Sequence, residues 1–357
     1  MPRPIRALID LAALKNNFSV ARRHAGSARV MAVLKANAYG HGALRAARVF
    51  SDADAFAVLD VDSAVQLRDA GFLQPLILLE GCFDAHDVAA AFSHELTPVI
   101  HSAEQWRMFE RLRPASPLGV MLKLNTGMNR LGLTAEDLVA LLPTVRQHPA
   151  IGEVILMTHF AAADESGGTA LQLASFHRMT AGLPFAKSIA NSAALLDNPE
   201  TCADWVRPGI ALYGASPFAD RSAASLGLLP AMTLESQVIA TQTLVQGDCV
   251  GYGATFKATR PMRVGIVACG YADGYPRHAE SGTPVLVCGV QTGTLGRVSM
   301  DMLCVDLTDI AQAGIGSPVV LWGRGLPVEE VARAAKTISY ELLCALNARV
   351  ASVETGG

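Results

Sequence analysis

An eight-stranded (β/α)8 TIM-like barrel followed by a mainly-β domain is the α/β fold this sequence predicts, on three observations. Eight short apolar runs, mostly separated by helix-length sequence, lie between residues 30 and 214. Each run ends abruptly in polar or glycine residues. Beyond about residue 225 the texture changes to β-formers broken by glycine-rich turns. Buried parallel strands read as near-continuous apolar runs because helices cover their sheet. Eight βα units are the number that closes such a barrel. A doubly wound open sheet is the rival arrangement for the same pattern.

The elements follow in order. Asp10 can cap a helix whose residues Leu11, Leu14, Phe18 and Ala21 fall near one face. RVMAVLKANAYGHG then supplies the first strand and its tip, FAVLDVD (56–62) the second, with a helix closed by Gly71, and PLILLEG (75–81) the third. LTPVIHS (96–102), LGVMLKLNTG (118–127), EVILMTHF (153–160), PFAKSIANSAA (184–194) and WVRPGIALYG (205–214) complete the eight. The later segments MTLESQVIATQTLVQGDCVGYG, MRVGIVACGYADGYP, TPVLVCGVQTGTLGRVSMDMLCVDLTD and SPVVLWG alternate as strands do, and a short helix is expected near 326–347. The expected domains are a barrel over 1–225, whose first few residues pair with the other domain, and a β domain over 226–357.

At 357 residues and 51% hydrophobic content, the chain can hold one large core and a second unit. Charged residues make up 17% and the net charge is -3, with no basic run, so no nucleic-acid partner is expected. Asp10 and Lys15 interrupt what would be the apolar part of an export signal, and no apolar stretch approaches the roughly 20 residues of a membrane span. Seven cysteines without a CxxC pair fit reduced thiols better than disulfides or a zinc site. A cytoplasmic protein without a metal or membrane partner is the expectation.

Residues at the carboxyl ends of barrel strands face the catalytic mouth. Those tips collect Lys35, Asn37, Tyr39, Lys123, Asn125, Arg130, His159, Asn191, Ser192 and Arg207. Cations outnumber carboxylates there, which suits a phosphate or carboxylate ligand. Lys35, placed after the run VMAVL, can attack a carbonyl to form a Schiff base, or can be a structural lysine reaching the rim. NSAA (191–194) and PGI (208–210) can offer backbone amides and the Ser192 hydroxyl to a phosphate, although Ser192 also reads as a plain helix cap. His159 alone reads equally as a hydrogen-bonded spacer. Tyr252, Tyr271 and Tyr275 stand in glycine frames, which permit close backbone approach but are also common in ordinary turns.

Eight motifs in order carry a more specific signal: AVLKANAYGHG (32–42), KLNTGMNRLG (123–132), ANSAA (190–194), VRPGIALYG (206–214), GYGATF (251–256), GYADGYPR (270–277), GRVSMD (296–301) and TISYE (337–341). Over nearly the whole chain they resemble the alanine racemases. The resemblance implies pyridoxal phosphate as cofactor, L- and D-alanine as substrates, and a head-to-tail homodimer in which each mouth is completed by the partner's β domain. It assigns Lys35 to the cofactor Schiff base and to one proton transfer, and Tyr252 to the opposing transfer. Tyr39, Ser192, Gly209, Ile210 and Tyr340 match phosphate positions, and Arg207 matches the arginine facing the pyridine nitrogen. His159 matches a hydrogen-bonded neighbour of Arg207. Arg130 and the Met300 amide match the substrate-carboxylate site, Asp301 and Tyr271 line the approach, and Lys123 matches a lysine often carbamylated in this family. Asn125 and Ser188 depart from the residues many members carry. A broad-spectrum serine/alanine racemase, a decarboxylase of basic amino acids and a non-catalytic pyridoxal-phosphate carrier are the alternatives. Arg130 and Tyr252 argue against the decarboxylase, and the long β domain with its tyrosines argues against the carrier.

Overall fold

The chain opens on β1 (Arg6–Asp10), and Asp10 then caps the helix Leu11–Ala25 by accepting the Ala13 amide at 2.9 Å. The structure, a computed structural model, describes residues 3–111 and 116–356; the ends of both expected domains at 1, 2 and 357, and residues 112–115, lie outside them. Two units divide the chain: Phe18–Ala38 with Gly42–Leu212, and Met1–Asn17 with Tyr39–His41 and Tyr213–Gly357.

The first of these is a closed barrel of eight parallel strands. They are β2 (Arg29–Val33), β3 (Ala55–Val58), β4 (Leu76–Leu78), β5 (Leu96–Ile100), β6 (Leu118–Lys123), β7 (Ile151–Met157), β8 (Ala186–Ser188) and β9 (Trp205–Val206). Closure is made by β2 against β9, with Arg29 opposite Trp205 and Val30 opposite Val206. All of β3 and β4 is buried, as expected of strands covered on both faces. The connecting helices start where the sequence places short polar acceptors. Asp60, Asp84, Ser102, Thr134 and Asn191 each accept a first-turn amide, the bonds that an amino end otherwise leaves unmade. The closed ladder settles the choice against an open sheet.

In the other unit, β10 (Met232–Leu244) does two jobs. The remaining strands are β11 (Cys249–Val250), β12 (Phe256–Lys257), β13 (Met262–Val267), β14 (Pro284–Val287), β15 (Val290–Leu295), β16 (Leu303–Asp306), β17 (Pro318–Trp322) and β18 (Ala351–Thr355). The first half of β10 pairs with β17 and its second half with β13, across an irregularity between Val238 and Ala240. The circuit β10–β13–β16–β15–β14–β17 therefore closes on itself. Val250, Ala258, Met262, Val264 and Leu295 pack together inside this unit. Outside the circuit, β1 lies antiparallel to β10 and parallel to β18.

Where one carboxyl-terminal helix was expected, there are two, Val328–Ala334 and Ser339–Cys344. Lys336 adopts φ 58°, and the Thr337 amide donates to the Ala332 carbonyl at 2.9 Å, the left-handed closure that terminates a helix.

Candidate active site

Lys35 follows the buried end of β2, and the backbone leaves it through a left-handed turn. Ala36, Asn37, Ala38 and Tyr39 all have φ between 51° and 55°. For residues with a Cβ this conformation costs about 1–2 kcal/mol each, and such strain collects at functional sites. The turn is held by bonds to Asn37, whose carbonyl accepts the Gly42 amide and whose Oδ1 accepts the Ala43 amide, both at 2.9 Å. Lys35 itself is exposed at this edge of the barrel. Gly40 admits no side chain, because a Cβ would lie 2.3 Å from the Leu343 carbonyl oxygen.

Lys123 is the last residue of β6 and is only 7% exposed. Burial first, then the charges of Arg207 and Arg130, and more weakly Lys35, draw its pKa down to about 8; Glu80 opposes them. The same cations act on His159, which burial and then Arg207, Lys123, Arg130 and Lys35 bring down to about 3, so its ring is neutral in ordinary buffers. The barrel mouth thus holds four cationic side chains around an uncharged histidine. Burial also lowers His101, and Lys123 adds to the effect.

Arg130 stands on a loop whose two ends are tied together. The Asn125 amide donates to the Leu133 carbonyl at 2.9 Å and the Leu133 amide to the Lys123 carbonyl at 2.7 Å. Asn125 Oδ1 accepts the amides of Gly127 and Asn129 at 3.2 and 3.1 Å, so this residue builds the turn that carries Arg130.

Arg207 is 4% exposed and makes three hydrogen bonds. Its Nη1 donates to Ser188 Oγ at 2.7 Å, and its Nη2 to the Thr158 carbonyl at 2.6 Å and the Ile189 carbonyl at 3.4 Å. No hydrogen bond joins it to His159, against the expectation; its donors go to the Ser188 hydroxyl and the Thr158 and Ile189 carbonyls, and its charge only helps keep that ring unprotonated. Behind them, Gln172 donates to Thr126 Oγ1 at 3.2 Å and to the His159 carbonyl at 3.1 Å, while Thr126 and Thr158 share a 2.7 Å hydroxyl contact. This buried set fixes the tips of β6 and β7.

Ser192 is not the cap of its own helix. Asn191 caps it, accepting the Ala194 amide at 3.0 Å. The Ser192 hydroxyl instead accepts the Gly209 amide at 2.8 Å and the Ala211 amide at 3.3 Å. Ile210, between them, is buried. With its oxygen accepting these two amides, the Ser192 hydroxyl keeps its own proton to donate, and a hydroxyl donor set in a loop of backbone amides suits a phosphate ester, so the residues fit the phosphate of the expected cofactor.

In the second unit Tyr39 is stacked on Tyr213, with ring centroids 4.8 Å apart, and tilted against Tyr340 at 6.1 Å. Burial, then Tyr340 and Cys344, hold the Tyr39 phenol well above its ordinary range, so it stays protonated. Tyr252 sits between Gly251 and Gly253, whose φ values are 73° and 74°, and is 69% exposed. Tyr271 and Met300 are 38% and 53% exposed on the same unit. Their loops are joined by the Tyr271 amide to the Ser299 carbonyl and the Ala272 amide to the Met300 carbonyl, each at 3.0 Å.

Comparison with known proteins decides the family. The alanine racemase amino-terminal domain model matches residues 9–217, and the carboxyl-terminal domain model matches 231–354. The chain belongs to the alanine racemase family. An alanine racemase of Nitrosospira multiformis is 55% identical, over 99% of this chain and 100% of its own. The biosynthetic alanine racemase of Pseudomonas aeruginosa is 48% identical with a TM-score of 0.97, covering 99% of each chain. The alanine racemase of Acinetobacter baumannii is 37% identical with a TM-score of 0.94, over 99% of this chain and 100% of its own. The match to this pyridoxal-phosphate-dependent family and the likeness of the fold bear out the barrel-plus-β architecture read from sequence. Within the racemase mouth, sequence reading did not single out Glu80 and His101. Both stand at strand tips it had marked, and polar residues there were the signal available.

Proposed function

We propose that this chain interconverts L- and D-alanine with pyridoxal phosphate, using Lys35 and Tyr252 for proton transfer on opposite faces of the α-carbon. The observation that carries the reading is the cationic barrel mouth. Lys35, Lys123, Arg130 and Arg207 share it with a preformed cradle of Ser192 Oγ and the 209–211 backbone. When bound, pyridoxal phosphate supplies a conjugated ring that acidifies the Cα–H of an amino acid joined to it.

Ser192, Gly209 and Ile210 would hold the phosphate, with Tyr39 and Tyr340 as the family's remaining phosphate positions. Lys35 Nζ would anchor the cofactor and then hold or deliver a proton on one face; Tyr252 Oη would do so on the other. The two groups exchange acid and base roles between the forward and reverse directions. Arg130 and the Met300 amide would grip the substrate carboxylate, which a racemase must retain and a decarboxylase must release.

Arg207 would face the ring nitrogen. Burial lowers its pKa only to about 10, so at neutral pH it stays charged and donates without yielding its proton. A partner of this kind limits the negative charge the ring can take up, and so favours return of the proton to Cα.

The active protein is proposed to be a homodimer in which each Tyr252 serves the partner's Lys35. The exposure of Tyr252, Tyr271 and Met300 on one unit supports this, since large apolar groups at a surface mark contact sites. The test is optical rotation of L-alanine incubated with the holoenzyme. Rotation is expected to fall to zero, and to persist with the Lys35→Ala and Tyr252→Phe variants. Unchanged rates in both variants would reject the assignment.

A further inference from the structure

Asp273 belongs to the motif GYADGYPR and has no role in the reading above. Its carboxylate is completely buried beneath two exposed residues of the proposed substrate site, Tyr271 and Met300. Its own loop, the 347–349 stretch and Arg3 meet on it. Its Oδ2 accepts the Gly270 amide at 2.8 Å. Its Oδ1 receives Arg349 Nε at 2.7 Å and also Arg3 Nη1, from positions near the two ends of the chain. Its own carbonyl accepts the Asn347 amide at 3.2 Å.

The same two arginines reach the Met300 side of the site. Arg349 Nη2 donates to Asp301 Oδ1 at 2.7 Å, and Arg3 Nη2 donates to the Asp301 carbonyl. Two guanidiniums and two carboxylates thus form a neutral, closed network, the arrangement in which buried charge is tolerated. Burial works against ionisation of Asp273, yet the hydrogen bonds from Arg3, Arg349 and Gly270 hold its carboxyl below the usual carboxylate range.

The geometry leaves little slack. At Gly270 a Cβ would stand 2.3 Å from the Met300 carbonyl oxygen, so the two loops touch backbone to backbone. At Gly274, φ 106°, a Cβ would stand 2.4 Å from the Ala345 carbonyl oxygen, which presses the other side of the loop against the carboxyl-terminal segment. The Tyr271 and Ala272 amides complete the link to Ser299 and Met300. A shift of the Asp273 carboxylate is therefore transmitted to the Met300 peptide.

We propose that Asp273, braced by Arg349, is a positioning residue that sets the Met300 amide and the Tyr271 ring and thereby the affinity for the substrate's carboxylate. It touches neither substrate nor cofactor. The inference rests on the assignment of the Met300 amide to the carboxylate site.

The test compares holoenzymes of the parent, Asp273→Asn, Arg349→Lys and Arg349→Gln. Asp273→Asn keeps shape and an acceptor oxygen but turns an amide N–H toward one guanidinium. KM for both L- and D-alanine is expected to rise about tenfold with kcat changed by less than about threefold, the signature of lost binding common to ground and transition states. Arg349→Gln should behave alike, and Arg349→Lys should recover part of the affinity. Amide hydrogen exchange should speed up at 270–275 and 299–303 and stay unchanged in the barrel strands. If Asp273→Asn does not fold, the two Arg349 variants carry the same ordering. KM within about twofold of the parent, whether or not the loops exchange faster, would overturn the proposal, as would a loss confined to kcat. A parent that fails to racemise alanine would instead overturn the reading on which it rests.

Discussion

Lys123 should exist in part as a carbamate, and the structure supplies the reason and the size of the effect. Its amine is buried at the end of β6, and its pKa is drawn down to about 8 by burial and by Arg207, Arg130 and Lys35. Only the neutral amine adds to carbon dioxide: the ammonium first gives up one proton, nitrogen then bonds to carbon as a second N–H proton leaves, and the side chain has gone from +1 to -1. At pH 7.5 roughly a quarter of such amines are neutral, against about one in a thousand for an ordinary lysine. Carbamylation would place an anion among three cations, relieving the repulsion that lowers the pKa and giving Arg130 a fixed partner. The assay is 13C NMR of holoenzyme equilibrated with 13C-bicarbonate. One carbamate resonance per chain should appear, vanish in Lys123→Ala, and, at constant dissolved CO2, grow as the neutral fraction rises about 25-fold between pH 6.5 and 8.5. Stripping CO2 should raise KM for alanine, and bicarbonate should restore it. A spectrum identical in parent and Lys123→Ala, with activity indifferent to bicarbonate, would refute the reasoning.

Other predictions use different probes. Co-refolding Lys35→Ala with Tyr252→Phe chains should regenerate roughly a quarter of the parent activity, because half the random dimers are mixed and each mixed dimer has one intact shared site; no recovery would mean that each chain supplies both bases. Arg207→Glu should cut racemisation at least about tenfold and raise pyruvate formed per turnover, since a carboxylate partner deepens the electron sink; an unchanged pyruvate ratio counts against the role given to Arg207. His159 has a folded pKa of about 3, below its unfolded value, so the unfolded chain binds the extra proton and stability falls as pH drops from about 6.5 toward 3. Thermal unfolding of His159→Gln should therefore lose less melting temperature than the parent between pH 6.5 and 4.5, and parallel curves would show that this ring does not matter.

Much of the fold was legible because burial writes itself into the sequence. Each of the eight apolar runs became a barrel strand, and the polar tips converge as barrel geometry demands. The helix at Leu11 starts from Asp10 as expected. What escaped sequence reading depends on contacts between distant residues. Closure of the second circuit needs β10 to change partners midway, and no local pattern encodes that. The first residues were expected to pair with the β domain, but not which strands they would join: β18 lies parallel to β1 across more than 340 positions, as between Leu8 and Val353. The left-handed run at 36–39 contains no glycine, so the usual sign of positive φ was missing.

Among site residues, the motifs placed Lys123, His159 and Arg207 in one mouth, but not their partners. Ser188 looked like a departure from the family pattern, yet its hydroxyl holds Arg207 directly. Ser192 could be read as a cap or a phosphate ligand; its bonds to Gly209 and Ala211 assign the cap to Asn191 instead. Asp273 was inconspicuous in a glycine-rich turn because both of its arginines come from remote sequence.

The most direct measurement is the isotope content of product formed from L-alanine in D2O at low conversion. Two separate bases predict that D-alanine carries solvent deuterium at Cα from the first turnovers, with no protium carried across from substrate. The Lys35→Ala enzyme should form none. Early D-alanine that retains the substrate's own α-proton would show one group serving both faces, and would contradict the paired roles of Lys35 and Tyr252.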